Sequence, residues 1–133
     1  MSAVTAEPRP FDIRGELPTG VTVLEASAGT GKTFTIAALA ARYVAEGTPL
    51  DRLLLVTFTR MATGELRERV RERLVSAEQA LDRALTGAPP DALDEVVRLL
   101  ADAPWASIAV LAIASASARV KAAGSPGLAK RRT

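Results

Sequence analysis

Lys32 and Thr33 close the run Ala26-Ser27-Ala28-Gly29-Thr30-Gly31-Lys32-Thr33, in which a Gly-Lys-Thr triplet stands four residues after Ser27. The spacing is that of a phosphate-binding loop, provided that a strand precedes it and a helix follows. The strict pattern asks for Gly where Ala26 stands, so this is a variant form in which Gly29 supplies the extra freedom. Gly29 and Gly31 permit positive φ, which lets backbone N–H groups turn inward around phosphate oxygens. A helix starting at Lys32 adds its unpaired N–H groups and dipole. The Lys32 ammonium would sit on β- and γ-phosphates, and the Thr33 hydroxyl would coordinate a bridging Mg²⁺.

The flanking elements have the required character. Val21-Thr22-Val23-Leu24-Glu25-Ala26 follows Gly20 and carries β-branched residues, which predicts a short strand. From Lys32 to about Glu46, Phe34, Ile36, Leu39, Tyr43 and Val44 fall at helical spacing, and Gly47 supplies a stop. Leu53-Leu54-Leu55-Val56-Thr57-Phe58 is a continuous apolar run of the kind found in a parallel strand buried on both faces. Leu66, Val70, Leu74, Ala77, Leu81 and Leu85 then mark a long amphipathic helix. Gly87-Ala88-Pro89-Pro90 ends it, and Asp91 to Ala101 can form a further short helix with Leu93, Val96, Val97 and Leu100 inward. The expected fold class is α/β. Two parallel strands cannot bury themselves alone, so the expected sheet is incomplete.

A second group of residues lies at the end of the predicted second strand. Thr57, Phe58, Thr59 and Arg60 place two hydroxyls, an aromatic ring and a guanidinium at a strand-to-helix turn. Hydroxyls and helix N–H groups suit nucleic-acid phosphates, and Phe58 could stack on a base. The same residues also fit a plain structural role, with Phe58 in the core and Thr59 or Thr63 capping the helix.

Leu24-Glu25-Ala26-Ser27-Ala28-Gly29-Thr30-Gly31-Lys32-Thr33-Phe34-Thr35-Ile36, followed by Val56-Thr57-Phe58-Thr59, Ala62-Thr63 and Glu65-Leu66-Arg67-Glu68-Arg69, resembles motifs I and Ia of superfamily 1 DNA helicases. The resemblance covers about residues 11 to 75 and is greatest to the RecB-like branch, the beta subunits of exodeoxyribonuclease V. It implies a partial RecA-like P-loop NTPase domain in residues 1–102. It also implies that Lys32 and Thr33 bind MgATP, with Thr33 on the metal, that Ala26 to Gly31 wrap the phosphates, and that Thr57, Phe58 and Thr59 face single-stranded DNA. The implied partners are single-stranded DNA and other exodeoxyribonuclease V subunits. The implied role is an ATP-dependent DNA helicase and exonuclease subunit in recombinational double-strand break repair. Arg60 and Met61 depart from the acidic or polar residue and Ala usual at those positions.

Such a motor also needs an Asp-Glu pair on a later strand, a glutamine sensor and arginines from a second domain. Leu93-Asp94-Glu95-Val96 contains such a pair but lies in a helical pattern, which predicts a solvated face. With no His and no Cys in 133 residues, imidazole bases, thiolate nucleophiles and His or Cys metal sites are excluded.

Charge is uneven along the chain: residues 1–102 carry 12 basic and 15 acidic side chains, and residues 103–133 carry 5 basic and none acidic. The segment 103–133 reads as an Ala/Ser-rich basic tail without a clean apolar period. The expectation is therefore an N-terminal piece of a RecB-like subunit, truncated or read out of frame near residue 100 and inactive alone. A compact stand-alone P-loop kinase, or a non-catalytic module binding nucleic acid through Arg119, Lys121, Lys130, Arg131 and Arg132, are the competing readings. Met1 to Pro10 lacks the apolar stretch of a signal peptide, and Ala103 to Ala118 is broken by Pro104 and three serines. The expected location is the cytoplasm, with no membrane partner.

Overall fold

The structure is a computed structural model that describes residues 7–26, 29, 31–87, 95–104 and 106–124. Among the described residues there are four helices, α1 (Lys32–Ala45), α2 (Arg60–Leu85), α3 (Glu95–Asp102) and α4 (Ala106–Gly124), with one 3₁₀ turn at Leu50–Arg52. Helix α2 touches the other three and is the centre of the packing.

The expected α/β class is corrected by this architecture, because the described residues contain no strand and the incomplete parallel sheet is not formed. Leu53 (φ −99°, ψ 118°) and Thr59 (φ −125°, ψ 157°) have extended backbone, yet no ladder joins the segments 21–26 and 53–58 among the described residues. β-branched and aliphatic residues fit a strand only when a neighbouring strand supplies hydrogen bonds and a packing surface. Here Val21, Val23, Leu54, Val56 and Phe58 all face solvent instead. The run at 53–58 was expected to be buried on both faces, and only Leu53 and Thr57 are even half-buried.

The core lies between the helices. Leu74 and Leu81 of α2, Val96, Val97 and Leu100 of α3 and Ile113 of α4 are its largest fully buried apolar side chains. The inward positions expected for α2 hold at Val70, Leu74, Ala77 and Leu81, while Leu85 is exposed at the helix end. Helix α1 forms over the predicted range, with Ala37, Ala38, Ala40, Ala41, Val44 and Ala45 on its buried side and Phe34 and Ile36 exposed to solvent. The small Cβ groups of this face suit close approach of α1 to its neighbours.

Helix α4 arises from a segment whose apolar pattern is weak because its inward face is mostly small, with Ala109, Ile113, Ala116 and Ser117 buried. Residues Ala106–Ala123 are apolar and long enough to cross a membrane by length and composition, but this face packs on α1 and α2. The stops are local. Gly47 at φ 104° lets its own N–H reach Val44 O (3.0 Å) and that of Thr48 reach Tyr43 O (2.9 Å), closing α1 as its sequence predicts.

The stretch before the loop is tied to α1 by two side chains. Buried Arg42 donates through Nη1 to Ile13 O (2.8 Å) and to Gly15 O, and through Nη2 to Glu46 Oε1 (2.9 Å). Tyr43 Oη donates to Pro18 O. The turn itself closes by Gly15 N–H to Asp12 O (3.0 Å), with the Asp12 carboxylate accepting from Arg14 N–H (2.9 Å).

Candidate nucleotide-binding site

The loop ends on the first turn of α1. Gly31 is the N-cap residue in the left-handed region (φ 85°, ψ 30°), and no side chain among the described residues caps the helix. Gly29 lies in the same region at φ 80°, where a side chain would be strained. Thr35 N–H makes the first intrahelical bond to Gly31 O (2.9 Å), so the first-turn N–H groups ahead of it have no partner within the helix. No acidic residue occupies that turn, and Lys32 and Thr33 are exposed. An anion would therefore meet backbone N–H groups, the positive end of the helix dipole and the Lys32 ammonium together. A magnesium nucleotide fits this set: two glycines open the backbone, one cation matches the phosphates and one hydroxyl matches the metal. Ala26 is exposed at the loop's entrance, and Ser27, Ala28 and Thr30 lie outside the described residues.

Beside Thr33 runs a groove of about 390 Å³, walled by Thr33, Phe34 and Ala37 of α1 and by Arg69, Glu72, Arg73 and Ser76 of α2. The Arg73 guanidinium lies over the Phe34 ring, 5.5 Å from its centroid, and Arg69 pairs with Glu72 (3.3 Å). Sequence reasoning assigned no site role to Phe34, Arg69 or Arg73. The available signal was an aromatic residue directly after Lys32-Thr33 and two arginines one helical turn apart. What pairs Phe34 with Arg73 is the packing of α1 on α2, which periodicity alone does not specify.

Thr57, Phe58 and Thr59 stand at the entry to α2. Thr59 caps that helix, its Oγ1 accepting from Ala62 N–H (3.0 Å), and Thr63 Oγ1 donates to Thr59 O (2.8 Å). Phe58 is not core: its ring is fully exposed. No hydrogen bond or ion pair among the described residues joins this segment to Gly29, Gly31, Lys32 or Thr33. Glu95 begins α3 on an exposed face, as expected of a solvated position, and Asp94 lies outside the described residues. No cluster of three metal-ligating side chains occurs among the described residues.

The model of the UvrD/REP helicase N-terminal domain matches residues 13–115. Among curated proteins, the RecBCD enzyme subunit RecB of Mycolicibacterium smegmatis is 60% identical over 75 residues, which is 54% of this chain and 7% of that protein. RecB of Mycobacterium tuberculosis strain H37Rv is 54% identical over 83 residues (60% of this chain, 7% of that protein). RecB of Escherichia coli K12 is 43% identical over 96 residues (65% and 8%). The chain thus spans 7–8% of the length of these relatives. No solved structure matches it.

Proposed function

The chain belongs to the UvrD/REP helicase N-terminal domain family, and from that membership we propose that it is the MgATP-binding portion of a RecB-like, ATP-dependent DNA helicase and exonuclease subunit acting in recombinational repair of double-strand breaks. One observation carries the reading: two left-handed glycines, Gly29 and Gly31, deliver a helix N-terminus that no described side chain caps, that starts with Lys32-Thr33 and that has no carboxylate in its first turn.

In this reading Ala26 to Gly31 wrap the phosphates, Lys32 neutralises charge on the β and γ groups, and the Thr33 hydroxyl is a ligand of the bound Mg²⁺. Bound MgATP supplies the phosphoanhydride whose hydrolysis drives a motor. The contribution of this chain is capture: the N–H groups at the start of α1 and the Lys32 ammonium would hold the charge of the triphosphate. Thr57, Phe58 and Thr59 form the nucleic-acid side, where the exposed Phe58 ring is available to stack on a base of single-stranded DNA. Other exodeoxyribonuclease V subunits are its partners, and the cytoplasm its setting.

The test is a titration with a fluorescent MgATP analogue. Saturable binding by the 133-residue chain, lost in Lys32→Ala and weakened without Mg²⁺ in the parent but not in Thr33→Ala, is expected. Binding that is indifferent to Lys32→Ala would refute the assignment.

A further inference from the structure

We propose that Arg73 is a positioning residue of the nucleotide site, acting through Phe34 on the first turn of α1; this inference rests on the MgATP-binding reading above. Phe34 directly follows Lys32-Thr33, and its ring is 64% exposed, so α1 alone gives it no fixed place. The ring's ordered partner comes from the other helix. Arg73 is half-buried, precedes fully buried Leu74 and follows buried Val70 by less than one turn, so its backbone is anchored in the core. Its guanidinium lies 5.5 Å from the Phe34 centroid, within the range of a cation–π contact.

The contact has two consequences at the loop. It ties the first turn of α1, and with it Lys32 and Thr33, to a fixed point on α2. It also sets the wall of the groove beside Thr33, whose charged lining is Arg69, Glu72 and Arg73. Loss of Arg73 therefore frees the ring and loosens the first turn of α1 that carries Lys32 and Thr33, which weakens nucleotide binding.

The experiment measures the dissociation constant of the fluorescent MgATP analogue for the whole chain and for Arg73→Ala, Arg73→Lys, Phe34→Leu and the double variant Phe34→Leu/Arg73→Ala. Each protein's far-ultraviolet circular dichroism and urea midpoint are recorded alongside. Arg73→Met, which keeps the apolar stem, replaces Arg73→Ala if the latter unfolds. A cation–π contact of ordinary strength predicts roughly a three- to tenfold weaker affinity for Arg73→Ala. Arg73→Lys recovers most of the loss, and the effect of Arg73→Ala shrinks below twofold in the Phe34→Leu background. Arg71→Ala, on a different face of α2, changes nothing. If Arg73→Ala binds within twofold of the parent while Lys32→Ala abolishes binding, this inference falls and the nucleotide reading stands. An equal loss in both Phe34 backgrounds also overturns it, since Arg73 would then act as a charge and not through the ring. A parent chain that binds no nucleotide overturns both.

Discussion

Replacing Arg42 with Met keeps the aliphatic stem and deletes the guanidinium, so it isolates the clasp on residues 13–15 from the packing of α1. Three hydrogen bonds are lost, to Ile13 O, Gly15 O and Glu46 Oε1. The Glu46 pair is an i,i+4 surface contact whose carboxylate is partly exposed, worth about 0.3–0.5 kcal/mol. The two carbonyls belong to half-buried residues and regain water when released, so each bond counts at about 1 kcal/mol, below the roughly 1.5–3 kcal/mol of bonds to charged groups. Against this, Arg42 Nε is buried without a hydrogen-bond partner, and its removal returns about 1 kcal/mol. The net cost is about 1–2 kcal/mol. With a urea slope of about 1.5 kcal/mol per M for a chain of this size, the midpoint falls by ~1 M. Amide hydrogen exchange at residues 13–17 accelerates well beyond that of α2, because the segment detaches before the core opens. Adding Tyr43→Phe, which removes the bond to Pro18 O, frees the segment further. An unchanged midpoint together with unchanged exchange at 13–17 would show that the clasp does not hold the segment.

Further outcomes follow from the same contacts. Ser117 Oγ is buried with no hydrogen-bond partner, so Ser117→Ala is expected to raise stability by about 1 kcal/mol, read as a higher urea midpoint; a decrease would mean the hydroxyl is satisfied. Thr59→Ala removes the cap on α2 and costs about 1 kcal/mol, with Thr59→Ser recovering it; fraying confined to residues 60–63 in exchange data is the signature. The Asp12 carboxyl is held below its usual value of 3.8, first by the Arg14 backbone N–H and then by the Arg14 side chain. A depressed carboxylate stabilises the fold above its unfolded value and loses that contribution as pH falls through the folded one. The turn at 12–15 should therefore stay formed through pH 4 and loosen only below it, as followed by the Gly15 amide resonance; loosening already at pH 5 would contradict the assignment.

The loop was the most legible part of the sequence. A Gly-Lys-Thr triplet is a local signal, and the conformations it demands, positive φ at Gly29 and Gly31 and a helix from Lys32, are set by neighbouring residues alone. Helix α2 was legible for the same reason, since Val70, Leu74, Ala77 and Leu81 repeat at one period. The two strands were misread because strand formation depends on a partner that composition does not reveal: Leu54 and Val56 have the right character and no ladder to join. Helix α4 was obscured because its buried positions include Ala109, Ala116 and Ser117, which carry little hydrophobic contrast. The groove beside Thr33 depends on which side of α1 meets α2. That choice is made by alanines that look unremarkable in sequence.

The alanine side of α1 makes the helix a lever. A face of methyl groups has no rotamers with which to absorb a misfit, so any enlargement there must move the helix axis as a whole. Lys32 lies nine residues from Ala41, about 13 Å at 1.5 Å per residue. A tilt of about 5° at the buried half therefore swings the ammonium by about 1 Å, beyond the roughly 0.5 Å tolerance of a preorganised binding site. A core substitution such as Ala41→Val would then be read out at the loop as a change in phosphate affinity, far from the atoms that were altered.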